Sequence, residues 1–264
     1  MEPAEFAAEA LQIRRSALAT PRRIKSGLTN ESWLVEVDDG RAVVVRLSNP
    51  KQRELQINRA SETAILLAVG AADIGAPVLL CDPERHLLVT QYLRGRIWSP
   101  RDARQSENIQ RMGKFLRALH VMPPPDGAQP TDLRLVIGNY WNTLMARGLS
   151  SHTGSAETRE RARQIAAEIS ADFGACLCHN DIHHLNVIDD GKLRLIDWEY
   201  AGIGDPYFDL ASLCCYHTYS DGLRRELLAA YLGADRPAAL ERLHRMCWLF
   251  DYIRELWFAV REMA

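Results

Sequence analysis

The stretch from His179 to Asp209 constrains this chain more than any other part of it. It reads His179-Asn180-Asp181, then Asn186, then Ile196-Asp197-Trp198-Glu199-Tyr200, then Gly204-Asp205-Pro206 and Asp209-Leu210-Ala211. Asp181 and Asn186 are five residues apart, and Asp197 follows eleven residues later. Two short apolar runs, Leu185 to Ile188 and Leu193 to Ile196, flank Asp189-Asp190-Gly191. An Asp-Gly step between apolar runs is a hairpin signal. A short loop and a hairpin can therefore return three oxygen-bearing side chains to one place.

Those residue types suit phosphoryl transfer. Magnesium takes hard oxygen ligands, which Asp and Asn supply. The reaction needs little covalent help from a protein; it needs a metal on the phosphate oxygens and a carboxylate that aims the attacking hydroxyl. The Asp-to-Asn interval equals that of the protein-kinase catalytic loop, and Asp197 stands where those enzymes carry a second metal-binding aspartate. Neither G-x-x-x-x-G-K-[ST] nor G-x-G-x-x-G occurs, which argues against a P-loop or a dinucleotide fold. His179, Asp181 and His183 also read as H-x-D-x-H, but a zinc site needs further ligands and the first reading already uses Asp181.

The elements around this segment change character near residue 92. Residues 5 to 19 read as a helix with Phe6, Ala10, Leu11 and Leu18 on one face. Arg22 to Lys25, Trp33 to Val37 and Ala42 to Leu47 read as strands, with turns at Ser26-Gly27-Leu28-Thr29-Asn30 and Asp38-Asp39-Gly40. A helix over about Arg53 to Val69 and two strands, Pro77 to Cys81 and Leu87 to Thr90, complete this part. Beyond the break at Gln91 to Gly95 the chain is mainly helical: Ser106 to His120, about 157–170, and Glu241 to Met263. Pro123-Pro124-Pro125 ends the first of these.

At 264 residues the chain suits one large or two modest domains. With 47% hydrophobic and 25% charged residues it is neither mainly disordered nor collagen-like. Thirty-two basic and 34 acidic residues leave a net charge of −2, so no overall field draws it to nucleic acid or an anionic membrane. No apolar run reaches the ~18 residues of a spanning helix, and Met1-Glu2-Pro3-Ala4-Glu5 is acidic where a signal peptide is basic; the reading is a cytoplasmic protein. The six cysteines form no C-x-x-C pair and read as buried free thiols.

Taken together, these motifs resemble the aminoglycoside phosphotransferase and choline kinase superfamily, and the Asp197 to Gly202 string is most like bacterial choline kinases and thiamine kinase. The resemblance covers nearly the whole chain. It implies an α+β, protein-kinase-like fold, with a small antiparallel-sheet nucleotide lobe over 1–92 and a larger helical catalytic and substrate lobe over 93–264. It implies Asp181 as the base or orienting carboxylate, and Asn186 and Asp197 as ligands of Mg2+, with ATP as co-substrate. Gly27, Thr29 and Asn30 of the turn, Arg46 with its ion-pair partner Glu62, and Gln91 and Tyr92 of the hinge would contact the nucleotide. Choline kinases commonly place arginine where protein kinases use lysine, which suits Arg46. Glu199, Tyr200 and Trp257 would face a small cationic alcohol, choline first, with thiamine, ethanolamine or an aminoglycoside as alternatives. Three residues before Trp257 a second aromatic is expected, and Arg254 stands there. An arginine repels a cation unless an acid such as Asp251 or Glu255 neutralises it. Leu185 replaces a glycine common before the Asn. Asp205 and Asp209 are expected to brace the loop, His179 to fix it, and Trp248 and Phe250 to be core. A kinase-like nucleotide-binding module without turnover is the reading from another class. The sequence leaves the assembly open, a homodimer included.

Overall fold

The computed structural model describes residues 2–24, 30–48, 55, 57–171, 176–234 and 236–262. The nucleotide turn expected at 25–29, with Gly27 and Thr29, lies outside these residues.

The chain opens with α1 (Pro3–Leu11), started by proline in its first turn and by a capping box between Glu2 and Glu5. The helix stops eight residues before the expected end. Gln12 turns left-handed at φ 55° and sends its N–H to the carbonyls of Ala8 and Glu9. Leu18 instead bridges Val37 as extended backbone. Both ends of the predicted apolar face nonetheless reach one small core, where Phe6 and Leu18 pack with Val35, Val43, Val45 and Val89.

The strands β1 (Arg22–Ile24), β2 (Asn30–Glu36) and β3 (Ala42–Ser48) come next. They are followed by α2 (Arg59–Ala71), β4 (Val78–Asp82) and β5 (Leu87–Gln91). The strands form one antiparallel sheet in the order β1-β2-β3-β5-β4. Gly40, at φ 87°, makes the tight turn between β2 and β3. Side chains alternate across a strand. Val43 and Val45 go under α1, which sends Val44 and Arg46 to the opposite face. Helix α2 begins six residues later than expected because Asn58 caps it, its side chain accepting from the Ser61 N–H at 3.1 Å. The expected start at Arg53 lies outside the described residues.

After the sheet, the short β6 (Arg96–Ile97) pairs far along the chain, with Asp189 and Ile188. Helices α3 (Ser106–His120), α4 (Leu133–Ala146) and α5 (Ala156–Ala171) lead to β7 (Cys176–Cys178). Then follow β8 (Val187–Asp189), β9 (Leu193–Leu195) and β10 (Gly202–Gly204). Helices α6 (Pro206–Tyr216), α7 (Asp221–Leu232) and α8 (Pro237–Arg261) finish the chain. The β8–β9 hairpin forms as expected, but its first strand starts at Val187 because His184–Asn186 make one 3₁₀ turn. Among the described residues no helix is long and apolar enough to cross a membrane.

The pairing of β7 with β10 sets the position of the loop after β7. Gly202 lies opposite Cys178, and a Cβ there would fall 2.3 Å from Thr131 Oγ1 and 2.9 Å from the Gln129 carbonyl. Gly202→Ala is therefore expected to destabilise by about 1–3 kcal/mol through overpacking. Urea unfolding checks this; an unchanged midpoint would show that the 129–131 segment yields freely.

Candidate active site

The site grows from the end of β7. Directly after Cys178 the backbone turns through Asn180 at φ 67°, and two side chains of α6 hold the turn. Asp209 accepts the N–H of His179 at 2.9 Å and that of Asn180 at 2.6 Å. Ser212, one helical turn further, accepts the Ile182 N–H at 2.9 Å and returns its own hydroxyl to the Ile182 carbonyl at 3.1 Å. Helix α6 starts where it does because Asp205 caps it ahead of Pro206, and Arg242 of α8 pairs with Asp205 at 2.7 Å.

His179 joins the two halves of the motif. The Asp181 N–H donates to its Nδ1 at 3.3 Å, so Nε2 bears the proton and donates to the Ile196 carbonyl at 2.9 Å. The Ile196 N–H reaches the Asn186 carbonyl at 3.0 Å. The loop and the hairpin are thereby tied immediately before Asp197.

Asp181 presents a held carboxylate. Tyr216 donates to Oδ1 at 2.9 Å, and Asn186 Nδ2 lies 3.3 Å from Oδ2 and 2.9 Å from the Asp181 carbonyl. Burial opposes the charge, but His183, His179 and Tyr216 outweigh it and keep the carboxyl below its usual range. Asn186 has its amide nitrogen engaged in this way, which leaves Oδ1 as the atom for a cation.

Asp197 sits at φ 65°, a left-handed turn at the end of the hairpin. Around it lies a chain of charges from both parts of the fold. Arg46 on β3 stands 3.8 Å from Asp197 and 2.6 Å from Glu62 on α2. Arg59 binds the other Glu62 oxygen at 2.6 Å and Glu199 at 3.3 Å. Asn30 donates to the same Glu199 oxygen at 2.8 Å. Glu62 and Glu199 are 3% and 4% exposed, so these charges are paired away from water. Among the described residues, three carboxylates here lie with two guanidiniums. Burial, and next the neighbouring Glu199, push the Asp197 carboxyl up to about 8, against the pull of Arg46. A cation beside it would favour the ionised form, and hard oxygen donors are what magnesium takes, so the residues present fit the ion.

The remaining expected residues are placed as follows. The Tyr200 hydroxyl accepts from Trp257 Nε1 at 2.8 Å, and the two rings meet edge to face at 6.4 Å. Asp251 does neutralise Arg254, at 2.7 Å, and the guanidinium lies 5.2 Å from the centre of the Tyr216 ring. The N–H groups of Gln91 and Tyr92 donate to the Pro77 and Ala42 carbonyls, at 2.8 and 2.9 Å. An adenine edge at this segment would not meet those two amides. Trp248 packs partly buried against the core, while Phe250 lies inside it.

Sequence reasoning missed Arg59, Tyr216 and Ser212. Arg59 and Ser212 had a periodic signal, being three residues from Glu62 and from Asp209. Tyr216 continues that period four residues after Ser212, but only the packing of α6 brings it to Asp181.

The model described as the phosphotransferase enzyme family matches residues 20–244. The chain belongs to this family. Within it the likeness lies with the choline/ethanolamine kinase branch. Ethanolamine kinase 2 of Rattus norvegicus is 26% identical over 204 residues, 72% of this chain and 51% of that protein. Protein LicA of Haemophilus influenzae is 45% identical over 105 residues, 36% of this chain and 30% of that protein. The chain thus spans about half the length, or less, of these curated relatives. Among solved structures, choline kinase LicA from Streptococcus pneumoniae has a TM-score of 0.81 at 20% identity, covering 98% of this chain and 89% of that one. The family fold is the α+β, kinase-like one expected.

Proposed function

We propose that this chain transfers the γ-phosphate of Mg·ATP to the hydroxyl of a small cationic alcohol, with residues 1–92 as the nucleotide lobe and 93–264 as the catalytic lobe. The observation that carries the reading is the convergence of Asp181, Asn186 and Asp197 beside a network of buried ion pairs that joins the sheet and α2 to the hairpin. Magnesium, when bound, would neutralise phosphate charge at Asn186 Oδ1 and Asp197.

The chain's own groups have separate tasks. Asp181 orients the hydroxyl and takes its proton as the new O–P bond forms and the β–γ bridge breaks, releasing ADP. Its depressed pKa keeps it ionised at neutral pH, so it acts first by aiming. Tyr216 and Asn186 fix its two oxygens. Arg46, anchored by Glu62, contributes positive charge to the phosphates. Gln91 and Tyr92 would border adenine, and Asn30 lies at the edge of the nucleotide turn.

Choline is the first acceptor to test, with Tyr200 and Trp257 offering aromatic surface to a quaternary ammonium. One observation favours ethanolamine as the second reading. Arg254 already covers the Tyr216 ring, and Arg261 lies 5.5 Å from the centre of the Trp257 ring. Fewer free aromatic faces suit a primary ammonium, which hydrogen-bonds to acids, better than a quaternary one. A screen of choline, ethanolamine, thiamine and aminoglycosides, read as ATP consumption, tests this. Turnover with choline or ethanolamine is expected; none with any small alcohol would reject the reading.

A further inference from the structure

Beside the turn that follows β7 lies a second group of donors that the phosphotransfer reading does not use. Cys176 and Cys178 are two residues apart on β7, so their side chains share one face of the strand. Their sulfurs are 3.6 Å apart. His120, at the last turn of α3, completes a buried group whose ligand atoms all lie within 4.8 Å of one another. A zinc ion bonded to two thiolates at about 2.3 Å in a tetrahedron separates them by about 3.8 Å, close to the spacing already present.

The hydrogen bonds of His120 decide which nitrogen is offered. Nε2 lies 2.9 Å from Asp209 Oδ2, an acceptor, so Nε2 carries the proton. Nδ1 is then the lone-pair nitrogen, and it accepts from the Tyr231 hydroxyl at 3.0 Å. A buried imidazole that donates one N–H to a carboxylate and stands within 4.8 Å of two thiols has the partners of a metal-ligating histidine. Tyr231 is close enough to both thiols that, after burial, they are the next cause raising its phenol pKa.

We propose that Cys176, Cys178 and His120 Nδ1 form a site for a thiophilic divalent cation of the zinc class, with the Tyr231 oxygen at the fourth corner. Binding replaces the Tyr231-to-His120 hydrogen bond and releases the two thiol protons to solvent. Asp209, the outer partner, is also the carboxylate that holds the His179 and Asn180 amides. An occupied site therefore stands directly behind the catalytic turn without touching its ligands.

Cobalt is the probe, because thiolate-bound Co2+ absorbs visibly and Mg2+ does not compete for sulfur. Since the donors are buried, the protein is given Co2+ both folded and during refolding, then freed of loose metal and checked by zinc displacement. One Co2+ per chain with a thiolate charge-transfer band in either arm is expected. Cys176→Ser/Cys178→Ser should lose the band. Should that variant fail to fold, Cys176→Ser alone should lose about half the band intensity. Cys214→Ser/Cys215→Ser, at the thiols elsewhere in the same lobe, should keep it all. No band in either arm, a band that survives loss of Cys176 and Cys178, or one that vanishes with Cys214 and Cys215 would overturn the assignment. The readout uses no substrate, so its failure leaves the phosphotransferase reading standing.

Discussion

Asp181→Asn is expected to lower turnover by about 10³-fold, within the 10²–10⁴ range of a positioned proton acceptor, while ATP binding stays near wild type. The amide keeps an oxygen for the Tyr216 hydroxyl, 2.9 Å away in the wild type, and does not alter the bonds that Asp209 and Ser212 make to the loop. What it removes is the charge that accepts the hydroxyl proton. Single-turnover kinetics beside a nucleotide titration separate the two quantities. Near-wild-type turnover would reject the assigned role, and a parallel loss of ATP affinity would make Asp181 a binding group instead.

Glu62→Ala is expected to destabilise the protein by about 3–5 kcal/mol, the usual result of removing one partner from a buried ion pair. Glu62 engages Arg46 through one oxygen and Arg59 through the other, both at 2.6 Å. Its loss removes both of these close pairs and leaves Arg46 3.8 Å from Asp197 and Arg59 3.3 Å from Glu199. Denaturant unfolding measures the change. A loss below about 1 kcal/mol would mean that water screens the network as it does a surface pair. Glu62→Gln, which keeps a hydrogen-bonding oxygen, should fall between the two.

The parts of the fold that were legible in the sequence are those where a local rule decides. The β2–β3 turn rests on Gly40, the β8–β9 hairpin on Gly191, and α3 on a clean apolar stripe that gave both of its ends. Helix α6 escaped notice because Tyr207 to Cys214 are all buried, so no polar face marks a helical period. The end of α1 is not legible because a left-handed Gln12 has no strong signature, and Leu18 suits a strand bridge as well as a helix face. In the site, Asp181, Asn186, Asp197 and the Arg46–Glu62 pair could be named from spacing and resemblance. The partners that set their charge could not. Arg59 meets Glu199 across 140 positions and Asn30 meets it across 169, and such contacts exist only once the sheet stands over the hairpin.

The claim on which the account turns is that Asn186 and Asp197 hold the metal of a bound nucleotide. Thermal stabilisation by ATP, measured with Mg2+ and with the metal chelated, in wild type and in Asp197→Asn, tests it most directly. The account predicts that Mg2+ adds substantially to the stabilisation by ATP in the wild type, and that the increment disappears in the variant. Equal stabilisation by ATP with and without Mg2+ in the wild type, or an increment that survives in Asp197→Asn, would contradict it.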